Sequence, residues 1–459
     1  MLWRNRQIPS PRFPRSDRLC PVVPGDGRRP RQPGTQRGDH DPPPPPEDPL
    51  CAEGAGKGTR ASAGEHSPLR NRAFLALWLS TWFSAIASSM QTAAVGWLVY
   101  ALTKAPMKLG VVTALRMGPS LLLLLLGGVL ADRYGRRRML IAGQGLLLLV
   151  TLLFTGHLSG GGANYLFFCL LNVAAGLAAA WMLPSRRALV PELCEDSLRG
   201  MVLLKLAQNV SWLVGPPLAG VLIERWRPVA CFGLQALFIA VAFLLLFTLP
   251  PGVDRGGDRN VWEALKRGIG FARQSPDLGW LFFLMAVVST LSLGGLHTFM
   301  PLLARDVLGM DAIGFGTIMA ALSLGMISGA FLVIRFRQVR TGHWFIGSIF
   351  AGTVAFYGLT LARKPFFSFG WFAIYGIIAA IFDSSSLTLA QRLAPGQMQA
   401  RITSIYLLIF LGSGFLGNLW AGFLCHALGP VSAALTMIPL VPLAALFTLY
   451  RHRRIWNLE

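Results

Sequence analysis

GGVLADRYGRRR, residues 127–138, closes one apolar run, Leu109–Leu130, and leads into another, Met139–Thr155. A short, strongly basic turn between two segments near the roughly 20-residue spanning length is what a polytopic membrane protein presents on its cytoplasmic side. The internal order of the turn says more than its charge. Gly128 is small enough to let the second span approach a neighbour closely. Gly135 can take the positive φ that a tight two-helix hairpin needs. Asp132, at the membrane edge, can accept charge-assisted bonds from Arg133 or Arg136 or face a positive helix N-terminus. Such a latch would hold one access state and release in the other. The general attraction of inner loops for arginine accounts for Arg136, Arg137 and Arg138, but not for the spacing Gly-x-x-x-Asp-Arg-x-Gly.

The rest of the chain agrees with a membrane reading. Of its 459 residues 53% are hydrophobic and 14% charged, against about 25% charged in a soluble domain. A net charge of +21 would suit a nucleic-acid binder. Here, however, the positive residues lie between apolar spans rather than on one amphipathic face, so nucleic acid is not an expected partner. The six Cys are scattered, which excludes a disulfide scaffold or a zinc centre as the organising feature. There is no Gly-rich Lys-Ser/Thr loop to cradle phosphates, and no nucleophile, metal-ligand or paired-carboxylate constellation. The chain reads as neither an enzyme nor an ATP-driven pump subunit, and no cofactor is expected.

Residues 1–72 are different material, with 14 of the 30 Pro and 13 Lys/Arg against 8 Asp/Glu. They hold too little apolar surface to offset the entropy of ordering and read as a disordered, basic, Pro-rich cytoplasmic tail. From residue 73 onward twelve spans follow, six in 73–249 and six in 279–450. The linker 250–278 contains an amphipathic stretch, Val261–Ser275, suited to the membrane surface, and a short tail, 451–459, ends the chain. The expected fold class is therefore an all-α membrane protein with twelve transmembrane helices in two pseudo-symmetric halves. With the amino end inside, the inner segments after residue 72 carry 20 Lys/Arg and the outer ones seven, which predicts both termini in the cytoplasm. The halves echo one another at an offset near 200, pairing Gly128 with Gly329, Arg136 with Arg337, Gly176 with Gly376 and Gly220 with Gly422. Parallel repeats of this kind place a binding site near mid-membrane between them.

The signature loop resembles that between helices 2 and 3 of the major facilitator superfamily. Phe74–Leu102 (FLALWLSTWFSAIASSMQTAAVGWLVYAL), Pro184–Leu193 (PSRRALVPEL), Val214–Gly220 (VGPPLAG) and Arg305–Gly309 (RDVLG) follow in serial order. Together they resemble the branch containing enterobactin exporters, macrolide efflux pumps and transmembrane secretion effectors. The resemblance implies the fold of that superfamily and export driven by proton antiport. The second-half copy of the loop, GAFLVIRFRQVR, is degraded: Val333 stands where Asp132 would, so only the first half carries the full latch.

Ionisable residues inside spans are the candidate cargo or proton sites. Arg116, in TALRMGPS, costs about 2.5–3.5 kcal/mol on insertion scales. It should face the bundle interior, either as an anchor for an anionic or polar cargo or as a paired or snorkelling side chain. Lys205 and Asn209 lie one turn apart in the fifth span, where Lys205 can also snorkel to the inner surface. Gly215-Pro216-Pro217 marks a kink in that span, resembling part of the antiporter motif of the superfamily. Asp383, in IFDSSSL, is the only clear intramembrane carboxylate and the first candidate to carry a proton. It reads equally as a structural, paired Asp. His297 is the second candidate, or a satisfied interior histidine. The expected protein is a multi-pass transporter of a prokaryotic inner or plasma membrane. It would expel a siderophore or drug-like molecule in exchange for protons, with membrane lipid, cargo and protons as partners. A lipid-related flippase or an importer keeps the fold and changes the task, and a membrane scaffold or sensor changes the class.

Overall fold

Asn71 starts the first helix. Its side-chain oxygen accepts the Ala73 N–H at 2.9 Å, and its amide donates to the Leu193 carbonyl at 2.9 Å, which ties the helix to the end of a later one. Proline, whose fixed φ suits a first helical turn, marks the start of five other spans, at Pro106, Pro228, Pro276, Pro365 and Pro430. The computed structural model describes residues 68–162, 164–194, 196–250, 269–336 and 340–452. The tail 1–67, linker residues 251–268 with most of the expected amphipathic stretch, Arg337 and residues 453–459 lie outside the described residues. So do the side chains of 122–134, which include the expected latch residues Asp132 and Arg133, and the packing around Gly128. Residues 65–459 belong to one unit.

Among the described residues there are twelve long helices and no strands: α1 Arg72–Thr103, α2 Pro106–Tyr134, α3 Arg136–Ser159, α4 Tyr165–Leu193, α5 Ser197–Trp226, α6 Pro228–Phe247, α7 Pro276–Val307, α8 Ala312–Arg335, α9 Thr341–Leu361, α10 Pro365–Arg392, α11 Gln399–Leu428 and α12 Pro430–Arg451. Eleven are long and apolar enough to cross a membrane over their described residues. The chain is a multi-pass membrane protein. Two spans depart from the regular helices expected. The backbone of α7 widens to π-helix over Ser289–Gly294 and again over Leu303–Val307, and α12 is interrupted between Met437 and Leu440, beside Pro439.

The offset read in the sequence has a structural counterpart. A Cβ added at Gly176 of α4 would lie 2.2 Å from the Arg116 carbonyl of α2, and one at Gly376 of α10 would lie 2.1 Å from the Leu322 carbonyl of α8. The same helix pair closes in each half through the same absent side chain. The halves meet along α2 with α11 and α5 with α8. A Cβ at Gly110 would fall 2.6 Å from the Asn418 carbonyl and one at Gly220 2.3 Å from the Ala312 carbonyl. Gly220 and Gly422 thus occupy equivalent places in the two crossings, α5 on α8 and α11 on α2.

These crossings gather at the end of the bundle away from the termini, here the far end. There Trp97 stacks on Phe315 with ring centroids 5.6 Å apart, and the Arg305 guanidinium lies 5.6 Å from the Trp97 ring. Tyr100 donates to the Asp306 carboxylate, and the Ala312 N–H reaches Glu224 at 3.4 Å. A ring, a cation–π pair and a hydroxyl–carboxylate bond therefore join α1 to α7 and α8 where the two halves come together.

Candidate functional site

Arg116 lies ten residues into α2 from the far end, and His297 ten residues before the end of α7. At 1.5 Å per residue each is about 15 Å deep, near the middle of a bilayer core about 30 Å thick. The Arg116 Nη2 donates to Ser88 Oγ of α1 at 3.0 Å. Its Nη1 is buried and has no hydrogen-bond partner among the described residues, and the Nδ1 of His297 is in the same condition. The His297 ring lies against Trp212 of α5, with centroids 5.7 Å apart and planes tilted by 32°. Next to them, Thr298 Oγ1 donates to Asn418 Oδ1 at 2.8 Å and pairs with Thr113 Oγ1 at 2.9 Å. The Asn418 amide donates to the Gly414 carbonyl at 2.8 Å. Polar groups of α1, α2, α7 and α11 thus meet at one depth, on the seam between the halves. Thr113 and Thr298 have their hydroxyls satisfied there; the buried donor of Arg116 and the buried ring nitrogen of His297 do not.

Other candidates stand elsewhere. Asp383 is nine residues from the near end of α10, about 12 Å lower than Arg116 by helix rise. Its Oδ1 accepts the Tyr406 hydroxyl at 2.9 Å, and Ser386 Oγ lies 3.1 Å from the same hydroxyl. No described cation pairs with it. Asp383 is therefore hydrogen-bonded and half-buried, and the structure does not bring it to Arg116. Lys205 is exposed and Asn209 half-buried. They continue, one turn at a time, the stripe of α5 that carries Trp212 and Pro216 into the seam. Gly215 packs on α1, where an added Cβ would fall 2.0 Å from Ser89 Oγ. Pro216 and Pro217 pack on Gly316 of α8, where an added Cβ would lie 2.5 Å from the Pro216 carbonyl. Helical hydrogen bonding continues through all three residues, and they lie in the contact between helices 5, 1 and 8.

At the signature loop Gly135 has φ 85°, the left-handed region expected for the hairpin. Arg136 donates to Glu192 Oε1 of α4 at 2.6 Å and to the Ala188 carbonyl at 3.2 Å, and Arg137 donates to the Phe247 carbonyl at 2.9 Å. The basic turn is therefore bolted to α4 and α6 of its own half. Glu192 was not singled out in the sequence, although its place in VPEL at the end of a basic segment was a usable signal. Ser88, Thr113, Trp212, Thr298 and Asn418 were missed as well. Thr113 lies one turn from Arg116, and Thr298 is the neighbour of His297. Among the described residues no three His, Cys, Asp or Glu side chains gather as metal ligands would.

Two six-helix halves joined at a polar mid-membrane seam define a transporter architecture. The sequence profile of the Major Facilitator Superfamily matches residues 77–418, and the chain belongs to that superfamily. It is 27% identical over 404 residues to the enterobactin exporter EntS of Salmonella choleraesuis (strain SC-B67), covering 83% of this chain and 94% of the relative. It is 26% identical to the enterobactin exporter EntS of Escherichia coli O1:K1 / APEC over 378 residues, 79% of this chain and 87% of the relative. The fold matches the crystal structure of the nucleoside transporter NupG with a TM-score of 0.67 at 13% identity, covering 82% of this chain and 98% of that one. It also matches a bacterial homologue of the human lysosomal transporter Spinster, in an inward-facing and unoccupied conformation. That TM-score is 0.65 at 16% identity, covering 85% of this chain and 97% of that one.

Proposed function

We propose that this transporter is a proton-coupled exporter of a small organic molecule and that it works by alternating access across the seam. The observation that carries the proposal is the seam itself. It is joined at the far end by Trp97, Phe315, Tyr100 and Asp306, while at mid-depth it holds the unsatisfied groups of Arg116 and His297. The Lys/Arg asymmetry supports placing the termini in the cytoplasm. The joined end then faces outward, and cargo loads from the cytoplasm into a site presented by both halves. Similarity to enterobactin exporters supports the outward direction and a siderophore-like cargo. Asp383 is the group we assign to proton carriage. It lies below the cargo site, its Oδ1 is held by Tyr406, and no described cation neutralises it. Both roles meet in one cycle, in which the outward-facing seam releases cargo and takes a proton and the inward-facing seam does the reverse. The test is cargo and proton flux in sealed proteoliposomes with an imposed pH gradient. Cargo movement should dissipate the gradient. Asp383→Asn should abolish cargo-driven proton movement while cargo-for-cargo exchange continues. Flux that survives collapse of the gradient and moves no protons would overturn the coupling.

A further inference from the structure

We infer that the mid-depth site selects its cargo by charge, accepting a flat molecule with an anionic oxygen and rejecting cationic amphiphiles of the same shape. This rests on the transport reading above and narrows it to a substrate class. The first support is what faces the seam. The Arg116 Nη1 is a buried, charged donor with no acceptor among the described residues, and the Ser88 hydroxyl that receives Nη2 is neutral and cancels none of the charge. An unpaired guanidinium in a site of low dielectric is costly, and an anionic oxygen is the ligand group that relieves it, through a charge-assisted bond. The second support is what is missing. Among the described residues no carboxylate pairs with Arg116 or hydrogen-bonds to His297. Asp306 is engaged by Tyr100 at the far end and Asp383 by Tyr406 near the other. A cationic cargo entering this depth would meet like charge with no described counter-ion beside it. The third support is shape. Trp212 presents its ring on the α5 side. On the α11 side Phe415 crosses so close to Gly118 that an added Cβ would lie 3.4 Å from its ring. A ring against His297 on the α5 side and another on α11 beside Gly118 favour a planar, unsaturated body over a globular aliphatic one.

The experiment uses the full chain in lipid nanodiscs and three probes of one shape: 1-naphthoate, 1-naphthamide and 1-naphthylmethylammonium, titrated by calorimetry. Naphthoate is expected to bind at least about tenfold more tightly than either other probe, the yield of one charge-assisted hydrogen bond. Arg116→Ala should collapse that preference to about twofold or less. Arg116→Lys, which keeps the charge without the planar fork, should retain the preference at reduced affinity, and this separates lost recognition from lost folding. Equal or reversed preference in the native protein, or a preference that survives Arg116→Ala, overturns the inference, as does failure of all three to bind. Transport of the cationic probe with no use for the anionic one would remove the anion site and leave the transporter standing. Saturable anion binding with no movement across sealed vesicles would keep the site and remove the transport reading.

Discussion

At the residue scale, the account depends on a few charged side chains whose surroundings differ sharply. Arg116 keeps an unsatisfied donor on the seam, whereas Arg136 is hydrogen-bonded to Glu192 and the Ala188 carbonyl. The second arrangement is structural and should behave so. Arg136→Gln and Glu192→Gln should each lower the thermal midpoint in detergent. The double variant should cost less than the sum of the two, leaving a coupling of about 1 kcal/mol or more, as for partners in one bond. Additive losses would mean the pair is not coupled. Arg116, His297 and Asp383 were legible in the sequence because an ionisable group inside an apolar span is conspicuous. Thr113, Thr298, Asn418 and Trp212 were not. Small polar and aromatic residues are common in spans, and only the packing of the opposite half decides which of them face the seam. The place of Glu192 in VPEL was a signal of its own, but its partner was not legible, lying 56 positions away across a hairpin.

At the element scale, the crossings depend on side chains that are absent. Gly176→Val drives a branched side chain into the Arg116 carbonyl and Gly376→Val one into the Leu322 carbonyl. Each should cost at least about 1–3 kcal/mol, the usual overpacking penalty, read as a lowered thermal midpoint and a lower yield of monodisperse protein. Gly156→Ala, on the exposed face of α3 with nothing within 4 Å, should be neutral or stabilising by about 0.5–1 kcal/mol. If all three behaved alike, the crossings would not depend on close backbone approach. Hydropathy alone pointed to the spans, eleven of which are long and apolar enough to cross a membrane over their described residues, because a bilayer demands about 20 apolar residues per crossing. It gave no sign of the π-helix in α7, beside which Gly294 and Gly295 come close to Ser413, Gly417 and Ala421 of α11. Such wide turns recur at functional sites, and this one ends three residues before His297. Deleting one residue within Ser289–Gly294 removes the residue the wide turn accommodates, so regular helix should form with His297 still in register, and cargo binding should fall while the protein stays folded. Unchanged binding would make the wide turn incidental.

At the scale of the whole molecule, the glycine pairings make the two halves near-equivalent bodies, and in the proposed cycle the far-end ring contacts are the part of the seam that opens to release cargo. The repeat was legible as an offset near 200. The sequence could not say which end would be joined, because that depends on how the two halves are packed in a given access state rather than on composition. The most direct test of alternating access is to lock that end. In a background without native cysteines, Trp97→Cys and Phe315→Cys are joined by a short bifunctional thiosulfonate, and flux of the bound arylcarboxylate is followed in proteoliposomes before and after reduction. The account predicts efficient cross-linking, flux reduced to background with binding from the near end preserved, and recovery on adding reductant. Undiminished flux with the cross-link in place would contradict it.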